Sequence, residues 1–374
     1  MVSRLFLNST DVFVIGGGPA GLAAAIAARQ QGFRVIVADG ARPPIDKACG
    51  EALMPDAMGA FERLGLAVPA TDSSKIRGVR FFSSGLSAEA IFPAGCCGLS
   101  IRRTTLHRIM TERAAELGIG MFWGTPVTAI SGEQVRIGRQ SLRTRWIIGA
   151  DGANSRVRRW TNLGEPSRTS LRFAFRRHYR IRPWTDCMEV YWGRRSQGYV
   201  NPVSSEEVGV AVASHHPRLR LDESLSEFPE LKLRLQNAEV TSIERGSTTA
   251  NRKLKRVWRG NVALIGDASG TVDAITGEGI GLAFSQAEAL APCLKTGDLA
   301  RYEAAHRSLR LRPWVMARLM LTLDGRPWVQ ERTLRVFRQR PEVFRRLLAL
   351  HVGALSPLHM AVDGLTLGWG LLTA

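Results

Sequence analysis

Asp11-Val12-Phe13-Val14-Ile15-Gly16-Gly17-Gly18-Pro19-Ala20-Gly21 is the stretch on which the fold of this chain turns. Five strand-forming residues run into a glycine turn, and Leu22 to Gln30 then continues, alanine-rich, at helical period. Gly16, Gly18 and Gly21 make G-x-G-x-x-G, a strand-to-helix turn that admits a pyrophosphate against backbone N–H groups at a helix N-terminus. Gly16 permits the tight turn, Gly18 removes the Cβ that would block the phosphate, and Gly21 lets the helix pack on the strand. A second strand, Arg34 to Ala38, ends in Asp39, 18 residues after Gly21, where a ribose hydroxyl needs an acceptor. The spacing predicts a βαβ dinucleotide site.

The 374 residues suffice for two or three packed units, and 45% hydrophobic with 22% charged is ordinary globular composition. Cys49, Cys96, Cys97, Cys187 and Cys293 show no C-x-x-C and no metal-ligand spacing with histidine, so reduced thiols, no metal and a cytoplasmic setting are expected. Met1 to Thr10 has no long apolar core and reads as no signal peptide. The net charge of +18 comes mostly from arginine, with twelve between Arg301 and Arg346. Such a face suits an anionic membrane surface or an acidic carrier protein, or is simply solvated. Nucleic acid is not expected, because no zinc knuckle, helix-turn-helix or aromatic-basic motif accompanies the charge.

Along the chain, Pro43-Pro44 marks a loop leading to Cys49-Gly50-Glu51-Ala52-Leu53-Met54-Pro55 and a helix over Asp56 to Leu64. Residues 76 to 92 alternate as a hairpin turned at Ser83-Ser84-Gly85, and Arg102 to Leu117 is an amphipathic helix. Short strands follow to Trp146-Ile147-Ile148-Gly149-Ala150, which ends in Asp151-Gly152. Residues 170 to 213 are β-rich, and Leu221 to Leu235 reads as a helix punctuated by Pro229. The strand Val262 to Ile265 runs into Gly266-Asp267-Ala268-Ser269-Gly270, then a long helix spans Gly279 to Leu294. Beyond it the chain is helical and arginine-rich to about 346, then apolar. Pro357 and Asp363 interrupt that tail, so two short helices are expected rather than a membrane span.

The glycine turn, Gly149 to Ser155 and Gly266 to Gly270 with Gly277-Glu278-Gly279-Ile280 are three strand-end motifs aimed at one ligand. Through them the chain resembles the FAD-dependent monooxygenases of the aromatic-hydroxylase type, and their relatives the geranylgeranyl reductases and flavin-dependent halogenases, over most of residues 11 to 295. The resemblance implies an α/β fold: a Rossmann-like FAD-binding domain (1–75, 100–165 and 255–300) interleaved with a β-sheet substrate domain (76–99 and 166–254), plus a C-terminal helical region (301–374). It places FAD against Gly16, Gly18, Ala20, Gly21 and Asp39, with Arg103 contacting the cofactor and Val127 beside the adenine. Asp151 would lie near the ribityl chain and the nicotinamide approach, Asp267 at the ribityl or pyrophosphate region, and Gly279 and Ile280 at the pyrimidine edge of the ring. The positive end of the helix starting there suits a ring that becomes anionic on reduction.

Cys49 to Pro55 is similar to the Cys-Gly segment of the reductase and halogenase branch, in which Glu51 either enters the substrate pocket or caps the helix near Pro55. Ala274 stands where many relatives have Pro, the tryptophan-halogenase signature is missing, and no second G-x-G-x-x-G offers NAD(P)H a domain, so that reductant would dock transiently. The leading expectation is monooxygenation through a flavin hydroperoxide of a small hydrophobic aromatic or olefinic substrate, the protein supplying position, dryness and electrostatics. Reduction of isoprenoid double bonds is the second, halogenation ranks lower, and an FAD protein that only recognises an acidic partner is a further class. Phe81, Phe173, Phe175, His178, Tyr179, Tyr191, Trp192 and Tyr199 are the expected substrate lining, with Glu51, His178 and Tyr179 as candidate catalytic groups.

Overall fold

The computed structural model describes residues 9–164 and 167–355. Its centre is the strand Ser9–Ile15, which pairs in parallel with Val35–Asp39 on one side and Gln140–Gly149 on the other. Val12, Phe13, Val14 and Ile15 are all buried, which explains why they read as a continuous apolar run: a parallel strand covered on both faces has no polar side. Gly120–Trp123 extends the sheet beyond Val35–Asp39, and Val262–Leu264 extends it beyond Gln140–Gly149, both in parallel. Helices Pro19–Gln30, Arg103–Glu116 and Gly279–Thr296 cover one face, packing Leu22, Ile26, Leu106, Met110 and Phe284 against Val12 and Val14. The opposite face packs Phe13, Leu142 and Ile147 against Val127 and Val135 of an antiparallel excursion, Val127–Ser131 and Gln134–Ile137.

Parallel pairing has one consequence for position. The carboxyl ends of Ser9–Ile15, Gln140–Gly149 and Val262–Leu264 emerge at the same edge, so the three motifs that follow them converge although they lie more than 100 residues apart in the chain.

A second eight-stranded sheet runs in the order Glu239–Val240, Ser167–Arg180, Glu207–Ser214, Ser196–Pro202, Cys187–Trp192, Gly78–Ser83, Leu86–Ile91, with Arg245–Lys253 also paired to Ser167–Arg180. Its pairings are antiparallel except where Cys187–Trp192 runs alongside Gly78–Ser83. The turn at Ser84-Gly85 closes the expected hairpin. Arg245–Lys253 escapes a sequence reading because Arg-Gly-Ser-Thr-Thr-Ala-Asn-Arg-Lys has neither alternation nor β-branched apolar residues, and pairing alone makes it a strand. The helix expected over Leu221 to Leu235 is two helices, Leu221–Leu225 and Pro229–Leu235, because Pro229 has no N–H to continue the first and suits the first position of the second.

Helices Leu299–Leu321, Pro327–Gln339 and Pro341–His351 close the described chain. The last two bury Leu334, Phe337, Phe344 and Leu348 against Phe81, Val79 and Trp192 of the second sheet. No helix among the described residues is long and apolar enough to cross a membrane. Most of the pair of short helices expected in the apolar tail lies outside the described residues.

One contact sets the angle between the first strand and its helix: a Cβ at Gly21 would lie 1.8 Å from the carbonyl oxygen of Gly16. Gly21→Ala is expected to lower unfolding free energy by about 3 kcal/mol, or to prevent folding, because backbone cannot yield as a side chain can. Urea unfolding followed by circular dichroism measures it, and a change under about 0.5 kcal/mol would refute the tight packing.

Candidate functional site

A cavity of about 500 Å³ opens at the common edge where the parallel strands end, roofed by the second sheet. Gly16, Gly18, Ala20, Asp39, Arg103, Val127, Asp151, Asp267, Gly279 and Ile280 all line it. Gly21 does not, since it faces the strand rather than the cavity.

The chain's own groups give this edge a positive character. The helix Pro19–Gln30 begins without a side-chain cap, and so does Gly279–Thr296, leaving first-turn N–H groups for a ligand. At Gly18 an added Cβ would find nothing nearer than the Arg103 guanidinium at 3.9 Å, so the glycine leaves a cradle rather than filling a contact. Buried Nε of Arg103 has no hydrogen-bond partner. An orphaned donor beside the uncapped end of Pro19–Gln30 and a glycine cradle fits a pyrophosphate.

The turn itself is pinned from two sides. Asp39 accepts from Gly17 N and Ala41 N, each at 2.7 Å, which fixes its carboxylate at the cavity edge with lone pairs to spare. His107 is fully buried with Nε2 2.9 Å from the Gly17 carbonyl. Burial holds its imidazole below the usual histidine range, so it is neutral and Nε2–H donates to that carbonyl. Sequence reasoning had no means of singling out this histidine, which sits inside the helix Arg103–Glu116 with no motif around it.

Residues 9–297 match the FAD binding domain family. The chain belongs to that family. It is 30% identical to the menaquinone reductase of Mycobacterium tuberculosis over 330 residues, 79% of this chain and 78% of the relative. It is 27% identical to digeranylgeranylglycerophospholipid reductase 1 of Methanothermobacter thermautotrophicus over 305 residues, 74% of each chain. A solved flavoprotein/dehydrogenase from Cytophaga hutchinsonii has the same fold, with TM-score 0.80 and 19% identity, covering 92% of this chain and 93% of the other. This is an FAD-binding oxidoreductase.

Other expected site residues divide differently. The Asp151 carboxylate is occupied by Ser155 Oγ at 2.5 Å, Arg156 N at 2.6 Å and Val157 N at 3.1 Å, capping the turn into Arg156–Trp160. Asp267 is paired at the cavity mouth with Lys47, Nζ to Oδ2 3.1 Å. Glu51 lines the cavity but does not cap the helix at Pro55; its Oε1 accepts from Arg103 N at 2.8 Å, so it caps Arg103–Glu116 instead. His178 lies within the wall behind Glu51 rather than in the cavity.

Tyr179 alternates to the far face of the sheet, where it packs with Val208, Leu221 and Leu231 under the two short helices, and so cannot touch a substrate. Of the remaining expected lining, Phe175 and Tyr199 reach the cavity. Phe81 and Trp192 lie under the C-terminal helices, while Tyr191 packs on Phe82 and Phe228. Phe173 is off the cavity wall as well.

The sheet side of the cavity also takes in Arg172, Ala174, Arg176, Met188, Ala211 and Ala213, with polar Asn201 and Thr248 among them. Arg172 is fully buried, ion-paired with equally buried Asp273 and 3.2 Å from Gln197 Oε1. Burial works against its charge, but Tyr199 together with the carboxylates of Asp273 and Asp324 drives its value up, so it stays charged. Alternating arginines at 172 and 176 resemble a solvent-facing edge in sequence, and only the cover above the sheet reveals them as interior.

Glu278, immediately before Gly279, is buried 3.6 Å from His351 Nδ1 and 3.5 Å from the Arg312 guanidinium. Burial, with Asp56 nearby and only partial relief from Arg312, pushes its carboxyl up to about 8. Stability conferred by the neutral acid is complete below its unfolded value of about 4.3 and is lost as pH rises through the folded value. Glu278→Gln, neutral throughout, is therefore expected to raise the melting temperature by roughly 3 °C or more at about pH 9 and to change it little at about pH 5. A shift equal at both pH values, measured by scanning calorimetry, would contradict the raised carboxyl.

Proposed function

We propose that this chain is an FAD-dependent reductase that saturates carbon–carbon double bonds in a hydrophobic, isoprenoid-type substrate. The observation that carries the reading is the sheet side of the cavity: Ala174, Met188, Ala211 and Ala213 offer an aliphatic slot. Tyr179 is on the other face and His178 lies in the wall behind Glu51, so neither of these two candidates is placed to orient a phenol in the cavity. Relatives named for menaquinone and for digeranylgeranylglycerophospholipid support the same substrate class. Monooxygenation, the leading expectation from the sequence, becomes the alternative outcome.

FAD, when bound, supplies hydride chemistry. The residues proposed to hold it are Gly16, Gly18, Ala20 and the helix end behind them for the pyrophosphate, with Arg103 and Asp39 flanking and Gly279 and Ile280 at the ring. NAD(P)H is proposed to dock transiently at the mouth, where Lys47 offers a cation to a phosphate. A membrane-borne substrate also suits the exposed face of Pro327–Gln339, where the Arg332 guanidinium lies 5.8 Å from the ring of exposed Trp328, an aromatic-cationic pairing suited to an anionic lipid surface.

Protein loaded with FAD, reduced by dithionite under nitrogen and given detergent-solubilised menaquinone with an unsaturated polyprenyl chain should, after air has returned the naphthoquinone ring to its oxidised form, leave a product two hydrogen atoms heavier by mass spectrometry, with no such product when the protein is left out. A product one oxygen atom heavier, formed only in air, would establish monooxygenation instead.

A further inference from the structure

We propose that Tyr302, His306 and Arg310 are positioning residues of the FAD site. They stand on the helix Leu299–Leu321, beyond the matched residues 9–297, and hold the turn after Val262–Leu264 against the cavity from behind. The proposal rests on FAD binding and not on which substrate is reduced. Spaced four residues apart, the three lie one above another on a single helix face, and they are 0%, 2% and 8% exposed. Each meets the turn at a different point. Tyr302 Oη donates to the Leu264 carbonyl at 2.8 Å, and His306 Nε2 lies 2.9 Å from Ser269 Oγ. Arg310 Nη2 donates to the carbonyls of Arg252 and Thr271 at 2.7 and 3.3 Å.

The turn has two sides. Gly266, Asp267 and Thr271 line the cavity, whereas Ala268 and Ser269 are fully buried and off its wall. Gly266 at φ 59° and Gly270 at φ 107° bracket it. Glycine enters that left-handed region about as readily as it avoids it, so the backbone alone does not select this shape. The choice falls to the side chains behind. A Cβ at Gly270 would lie 2.6 Å from the Arg252 carbonyl and 2.8 Å from Arg310 Nη1, so this end of the turn is seated directly on the stripe.

The middle of the turn is held through Ser269. Its Oγ donates to the Gly266 carbonyl at 2.8 Å, which leaves the oxygen to receive a hydrogen from His306 Nε2. Burial drives the His306 imidazole down to about 3, with Arg310 and Arg307 adding to the fall, so the ring is neutral and brings no charge into the core. From the other side Gln286 Oε1, on Gly279–Thr296, accepts from Gly266 N at 2.8 Å. Removing one member of the stripe leaves a buried carbonyl or hydroxyl short of a partner. The turn can then relax only by rotating about its glycines, which shifts Gly266 and Asp267 along the cavity wall.

Holoenzyme diluted in steps releases FAD, and the recovered flavin fluorescence gives a dissociation constant, with circular dichroism at the same temperature showing that each variant is folded. His306→Leu and Tyr302→Phe should each weaken FAD binding at least roughly fivefold. His306→Gln, whose amide reaches the Nε2 position and can pair with Ser269, should recover most of the loss. A residue that only braced the fold would lower the melting temperature and leave the dissociation constant of the folded protein as it was. Either folded variant holding FAD within about twofold of the wild type, or a loss that Gln does not recover, would overturn the proposal. Should His306→Leu fail to fold, Tyr302→Phe, which removes a single oxygen atom, decides alone. No readout needs a product, so a failure of the menaquinone assay leaves this test standing.

Discussion

Gly21 sits so close to the carbonyl of Gly16 that no side chain fits between them, and this approach fixes the axis of the helix Pro19–Gln30 against the end of its strand. The helix end then points into the cavity without a cap of its own. Asp39 and His107 hold the turn from either side, so its backbone is a rigid surface. Parallel pairing brings the ends of two more strands to the same edge, and with them the turns at Asp151 and Asp267. Were the first helix to tilt, the Gly18 cradle and the Arg103 guanidinium would no longer face one volume.

Charge is distributed less simply than a net +18 suggests. Arg158, Arg172, Arg176, Arg252 and Arg310 are buried. Arg172 and Arg176 are matched by Asp273 and Asp46, while Arg310 rests on the carbonyls of Arg252 and Thr271. Interior cations survive only with such partners, because an unpaired one would carry a desolvation cost of several kcal/mol. Part of the arginine excess is therefore architecture around the cavity rather than a face for a partner. Two of these arginine-rich contacts crowd one ring nitrogen of His178, Arg176 Nη1 at 3.1 Å and Arg102 Nη2 at 3.4 Å.

The second sheet shows how a wall and a core can share one strand. Along Ser167–Arg180, Arg172, Ala174 and Arg176 face the cavity while Tyr179 faces the helices behind. A shift by one residue would exchange the two sets. Phe81 and Trp192, aromatic and on neighbouring strands, are claimed by the C-terminal helices for the same reason. Aromatic content alone marks neither side.

By itself the sequence determined the parts whose signals are local. The glycine turn, the strand-end motifs at Asp151 and Asp267, the helix after Gly279 and the strand-to-helix order are all written in neighbouring residues, because backbone conformation and short-range periodicity are local physics. Only the tertiary structure decided which face of each strand is inside, which carboxylate caps which helix, and that Glu51 meets a histidine 127 residues away. Those outcomes depend on strand register and on what packs above the sheet, and both are settled by long-range pairing that no short stretch encodes.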